Sequence, residues 1–271
     1  MLINANWLKK NIKKKNIKVI DASWYLPNSN RNSLKEYYSS HIPNAVFFDI
    51  DKICRKNTSL PHMIPNKKYF ESSVSKLGIS QKDTIIIYCK DGVLSSPRVW
   101  WTFKYFGHKN VYILNGGFRA WRLISGKHQK NYLNKNYKPY KTNKINKNLA
   151  IKYEKLKKIY KIKKKYLIID GRPAARFLGK VPEPRKNIGS GNILGSVNIP
   201  HTDLQLKGFF KFKSSLRKIL NKEEIKNKLI ICSCGSGVNA CNLAIALLSV
   251  GITNYTVYDG SWTEWYLRST N

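Results

Sequence analysis

The chain has 271 residues, 42% of them apolar, and a formal charge of +35 from 50 Lys and Arg against 15 Asp and Glu. That length holds one large domain or two ordinary ones, and no apolar run reaches membrane-spanning length. Five cysteines (Cys54, Cys89, Cys232, Cys234 and Cys241) are too few for a disulfide scaffold here, so reduced thiols in a cytoplasmic setting are expected. The basic excess is nearly all Lys, travels with Asn and Ile, and is spread along the chain. It is read as compositional rather than as a specific nucleic-acid or membrane surface.

The N-terminus, from Met1 to Lys10, has no apolar signal core and no small-residue cleavage site. It leads directly into strand-like Ile17-Lys-Val-Ile-Asp21, so it is read as part of the fold. Next come His41-Ile-Pro-Asn-Ala-Val46, strand-like Ile85-Ile-Ile-Tyr-Cys89, a helical stretch Pro97–Tyr105, and Val111-Tyr-Ile-Leu-Asn-Gly-Gly-Phe-Arg-Ala-Trp121. Residues 126–165 carry fifteen Lys and one acid, Glu154, and read as linker followed by a solvated helix. Helical spacing of Ile151, Leu156, Ile159 and Ile162 predicts a helix over Ala150–Lys165 that packs on the second half. The first half then recurs, diverged and in the same order. Leu167-Ile-Ile-Asp170 repeats Val19-Ile-Asp21, and Asn192-Ile-Leu-Gly-Ser-Val197 repeats 41–46. Ile230-Ile-Cys-Ser-Cys234 repeats 85–89, and 256–265 repeats 111–121. Short apolar runs alternating with helical stretches predict an α/β fold in each half, a mainly parallel sheet flanked by helices. The expected organisation is one domain over 1–126, a Lys/Asn-rich linker over 127–150, and a second domain over 151–271.

One segment carries the chemistry. Strand-like Leu229-Ile-Ile231 leads to Cys234, then Gly235, Ser236 and Gly237, then a buried-type helix from Ala240 to Val250. A cysteine on a tight strand-to-helix loop can have successive backbone N–H groups and a helix N-terminus around its sulfur. Both favour the thiolate, which is the nucleophile.

The motifs together resemble the two-domain sulfurtransferases of the rhodanese superfamily, and among them the 3-mercaptopyruvate sulfurtransferases. They include Val19-Ile-Asp-Ala-Ser-Trp-Tyr-Leu-Pro27, residues 41–51, Leu60-Pro-His-Met-Ile-Pro65, Pro97-Arg-Val-Trp-Trp101, residues 176–185, Cys234-Gly-Ser-Gly-Val238 and Asp259-Gly-Ser-Trp-Thr-Glu-Trp265. The resemblance implies two tandem rhodanese-like domains, only the second bearing the nucleophile. It implies that Cys234 takes sulfur from 3-mercaptopyruvate as a persulfide, releases pyruvate, and passes the sulfur to a thiol or to cyanide. By the same resemblance, Ser236, His62 and Asp51 handle protons, and the site draws on both halves. Arg176 and Arg185 hold the ketoacid carboxylate, as planar guanidinium forks can. Gly235, Gly237, Val238 and Asn239 form the substrate-binding loop, and Trp262 lines the entrance. No cofactor is implied. A small-molecule sulfur donor, a thioredoxin-like or other thiol acceptor, and a monomer are expected, with no specific nucleic acid and no membrane.

Members specialised for thiosulfate, a dianion, carry Arg and Lys directly after the cysteine. Here those places are Gly235 and Ser236, which suit a monocarboxylate donor better. Thiosulfate transfer and a non-catalytic sulfur-carrier role remain the alternatives. A cysteine phosphatase needs an arginine where this chain has Ala240, and a zinc site built on Cys232 and Cys234 lacks a second ligand pair. Cys89 occupies the first half's counterpart of Cys234 and is read as a vestigial thiol. Asn239 stands where the family usually has Thr.

Overall fold

The computed structural model describes residues 1–131, 136–220, 225 and 227–269. The chain divides into two units. Unit 1 comprises 1–56, 64–146 and 207–209, and unit 2 comprises 57–63, 147–206 and 210–271.

Unit 1 is built on five strands: β1 (Leu2–Ile3), β2 (Ile17–Asp21), β3 (Val46–Phe47), β4 (Thr84–Tyr88) and β5 (Val111–Leu114). They lie in the order β1-β5-β4-β2-β3, every pair parallel. Between them run α1 (Ala5–Asn11), α2 (Ser33–Ser39), α3 (Lys67–Lys76) and α4 (Ser96–Tyr105), and after them α5 (Gly117–Leu123). The central strands are continuous apolar runs because both faces are covered. Val19, Ile86, Tyr88 and Leu114 share one core with Leu8 of α1, Tyr37 of α2, and Phe118 and Trp121 of α5. Ile85 and Ile87 of β4, also buried, point to the opposite face. Phe70 of α3 packs edge-on against Phe103 of α4 and stacks on Phe106 at 4.0 Å.

Unit 2 repeats the plan. Its strands are β6 (Ala150–Ile151), β7 (Tyr166–Asp170), β8 (Val197–Asn198), β11 (Leu229–Ser233) and β12 (Tyr255–Tyr258), in the parallel order β6-β12-β11-β7-β8. A small hairpin, β9 (Gln205–Leu206) and β10 (Phe209–Phe210), precedes β11. The helices are α6 (Tyr153–Ile159), α7 (Ala174–Phe177), α8 (Lys213–Leu220), α9 (Ala240–Ser249) and α10 (Ser261–Ser269). The duplication holds to the residue. Asp21 pairs with Tyr88 at the end of β2 and β4, and Asp170 pairs with Ser233 at the end of β7 and β11. Cys89 and Cys234 each follow immediately.

Two expectations need correction. Residues 127–131 and 136–146 are not a solvated linker; they strap onto unit 1. His41 and Gln129 exchange backbone hydrogen bonds at 2.9 Å, the Lys138 N–H donates to Ser75 O, and the Asn146 N–H donates to Tyr105 O. Tyr140 is buried between Phe70, Phe103 and His108. The lysines hide this because they keep their charged ends in water while the backbone and Tyr140 make the contacts. Residues 132–135 lie outside the described set. The helix expected over 150–165 is also shorter. Its first two residues form edge strand β6, α6 ends at Ile159, and Ile162 is exposed. Lys161, Lys163, Lys164 and Lys165 form a like-charged run that a helix would hold at repelling spacings.

Candidate active site

Cys234 sits on the loop that joins the central strand β11 to α9, and it is buried. Gly237 has φ +78°, a left-handed turn that a side chain resists. Two hydrogen bonds tie the loop's carbonyls to the start of α10. The Trp262 N–H donates to Cys234 O at 2.9 Å and the Thr263 N–H to Gly235 O at 3.0 Å. The Thr263 hydroxyl also donates to Gly235 O, at 2.7 Å. In a trans peptide the N–H points opposite to its carbonyl. The N–H groups of Gly235 and Ser236 are therefore turned away from α10, where they can serve an anion.

The structure brings Ser236 and His62 together. Ser236 Oγ lies 3.1 Å from His62 Nδ1, and both side chains are buried. His62 belongs to residues 57–63, the stretch of the first half that clusters with unit 2. Its φ of +60° marks a sharp, strained turn. Asp51 belongs to unit 1, where its carboxylate accepts the Trp24 indole N–H at 3.0 and 3.2 Å.

Arg176 is on α7, and its guanidinium lies against the loop. A Cβ added at Gly235 would stand 2.9 Å from Arg176 Nη2. A side chain at this position would have to displace that guanidinium end. Arg185 is half-buried in the following loop. Val238 is buried, and Asn239 precedes α9 with its Oδ1 buried and unpartnered. Trp262 is buried too; its indole N–H donates to Gly189 O at 2.8 Å and its ring lies beneath the Arg172 guanidinium.

Sequence reasoning missed three neighbours. Ser261 is fully buried with φ +51°. Its Oγ accepts the Cys234 N–H at 3.1 Å, donates to Tyr258 O at 2.9 Å, and stands 3.9 Å from Cys234 Sγ. In the sequence it stands inside the Asp259–Trp265 motif, just after the turn-forming Asp259-Gly260 pair, with nothing to announce its contact with Cys234. Arg172 and Glu183 form a buried ion-pair network with Asp170 and Arg176. Burial works against the Arg172 charge, but Asp170 and Glu183 outweigh it and hold the guanidinium above its ordinary range. Nothing in linear spacing announces such a network.

Burial pushes the Cys232 thiol far up. Burial also raises Cys89, although the N–H groups of Ser95 and Ser96 pull the other way. The Cys89 thiol donates to Gly92 O at 3.2 Å. Among the described residues, no group of three His, Cys, Asp or Glu could hold a metal ion.

These features define a duplicated parallel α/β protein with a cysteine loop in its second copy. The Rhodanese-like domain family matches residues 4–123 and 152–268. The chain belongs to the rhodanese family. It is 37% identical to the mitochondrial thiosulfate/3-mercaptopyruvate sulfurtransferase 1 of Arabidopsis thaliana, over 97% of this chain and 75% of that protein. It is 35% identical to the 3-mercaptopyruvate sulfurtransferase of Homo sapiens, over 99% of this chain and 92% of that protein. The crystal structure of SseA from Escherichia coli, described as a 3-mercaptopyruvate sulfotransferase, superposes with a TM-score of 0.88 at 33% identity. That match covers 96% of this chain and 98% of SseA.

Proposed function

We propose that the chain is a sulfurtransferase that takes sulfur from 3-mercaptopyruvate through a persulfide on Cys234. The Cys234 thiolate attacks the mercapto sulfur and forms the S–S bond. The C–S bond breaks, its electron pair passes to carbon, and the resulting enolate takes a proton and leaves as pyruvate. An acceptor thiolate then removes the outer sulfur and returns Cys234 as thiolate. Ser236 and His62 are assigned the proton delivery, a role that contributes on the order of 10²–10⁴ in rate for positioned acid–base groups. Asp51 is assigned to the same relay on family resemblance alone. The N–H groups of the Gly235–Asn239 loop stabilise the thiolate and the persulfide anion, as an oxyanion hole does oxygen.

The observation that carries the choice of donor is the Arg176 guanidinium lying against Gly235, one residue from the nucleophile. A cation there, with Arg185 as its assigned partner, suits the carboxylate of a ketoacid thiol. The uncharged Gly235-Ser236 pair offers little to a dianion. Steady-state pyruvate release from 3-mercaptopyruvate with a dithiol acceptor tests the reading, with thiosulfate as competing donor. The expected result is a higher kcat/KM for 3-mercaptopyruvate. A higher value for thiosulfate replaces the donor, and absence of turnover with either favours a sulfur-carrier role.

Thioredoxin-like dithiols are the proposed acceptors, and the basic surface would speed encounter with acidic ones. The proposed setting is a reducing compartment, the cytosol. The mitochondrial name of the plant relative makes the mitochondrion the competing assignment, and cell fractionation decides between them.

A further inference from the structure

We infer that Glu183 is a positioning residue that fixes the Arg176 guanidinium so that one defined edge faces the substrate. The inference rests on the reading above, in which Arg176 receives the donor's carboxylate.

A guanidinium has five N–H donors: one on Nε and two on each Nη. Glu183 engages the side edge of Arg176. Its Oε1 accepts from Nε at 3.2 Å and its Oε2 accepts from Nη2. What remains is the end edge, one Nη1 and one Nη2 proton, and a second Nη1 proton on the chain side. The end edge still offers a parallel pair of N–H groups with the spacing a carboxylate accepts. Nη2, shared by both edges, is also the atom nearest a Cβ built at Gly235, the residue after Cys234.

Glu183 itself cannot swing. Its side chain is buried, and Oε1 also accepts from Arg172 Nη1 at 2.8 Å. Arg172 is locked in turn: Nε bonds both Asp170 oxygens at 3.1 and 3.0 Å, Nη2 bonds Asp170 Oδ2 at 2.8 Å, and Nη2 also reaches Gly191 O. Asp170 ends β7, so a chain of charge-assisted bonds runs from the sheet through Arg172 and Glu183 to Arg176. The four groups sum to zero charge, two guanidiniums against two carboxylates. The Arg176 cation is therefore compensated before substrate arrives. Its value to the substrate then lies in its fixed geometry and directed N–H groups, which an unpositioned side chain on a four-residue helix would not supply.

Two alkylating agents of similar shape test this without relying on turnover. Iodoacetate carries a carboxylate and iodoacetamide does not. Both modify Cys234, and peptide mapping gives each rate as a ratio that cancels changes in the sulfur's own reactivity. Arg176→Ala should lower the iodoacetate/iodoacetamide ratio by about tenfold, the loss of one charge-assisted pair. Glu183→Gln should lower it by a similar factor and raise KM for 3-mercaptopyruvate while kcat changes little. Glu183→Asp keeps the charge but shortens the reach, and should lower the ratio as well. It also serves if the Gln variant fails to fold. A ratio that is unchanged or increased in Glu183→Gln, or fully retained in Glu183→Asp, overturns the positioning role while leaving Arg176 as the receptor. A ratio and KM unmoved by Arg176→Ala instead remove the carboxylate assignment itself.

Discussion

Cys89 and Cys234 follow equivalent strand ends, and what surrounds each thiol separates them. After Cys234 come Gly235, Ser236 and Gly237; after Cys89 come Lys90, Asp91 and Gly92. Burial raises the Cys89 thiol, and its proton is spent on Gly92 O. Cys89→Ser should keep nearly full turnover and Cys234→Ser should lose it entirely. The reverse pattern in steady-state assays would reassign the nucleophile. Ser236→Ala should lower kcat by roughly 10² or more, because it removes the hydroxyl held at His62. A kcat within twofold of the parent would remove Ser236 from proton handling. The strand-to-helix loop around Cys234 was legible in its run of small residues, whereas Ser236 and His62 entered only through the family resemblance, His62's own run reading equally well as a simple turn. Arg172, Glu183 and Ser261 were not legible. Their importance comes from burial and mutual contact, which spacing along a chain does not encode, and each type alone reads as an ordinary surface residue or turn former.

Elements with strong apolar patterns were legible almost to their ends. The stretches read as helical at 97–105 and 240–250 became α4 and α9. Both lie against continuous strands, so pattern and packing agree. The strap over 136–146 was illegible because one aromatic does the packing amid a run of lysines. Tyr140 fills a pocket between two phenylalanines and His108, and its N–H donates to Ser75 Oγ at 2.9 Å. Tyr140→Ala should destabilise unit 1 by about 3 kcal/mol, the usual range for deleting a buried aromatic. Lys141→Ala should leave stability within about 0.5 kcal/mol, as exposed substitutions do. Chemical denaturation measures both. Equal effects would mean that the strap lies loose in solution.

Over the whole molecule, the duplication explains why so little sequence specifies so much fold: one strand order is used twice, and only one copy keeps the cysteine loop. Acid sensitivity is also set at this scale. Burial lowers both His108, aided by Lys104, and His201, aided by Arg176. Each folded pKa lies below the ordinary value of about 6.5, so between the two the unfolded chain binds more protons. Their contribution is intact above about pH 6.5 and is lost as pH falls toward the folded values. Asp21 and Glu264, whose buried carboxyls are raised, act with the opposite sign. The histidine effect is therefore read by difference: a His108→Gln variant should lose less stability than the parent between pH 7 and 5. A parallel decline in both would assign the acid sensitivity to other groups.

The most direct test is the intact mass of the protein after incubation with 3-mercaptopyruvate in the absence of an acceptor thiol, followed by peptide mapping. The account predicts the gain of one sulfur atom on Cys234, discharged on adding dithiol. A gain mapped to Cys89, or no gain while the protein remains folded, would contradict it.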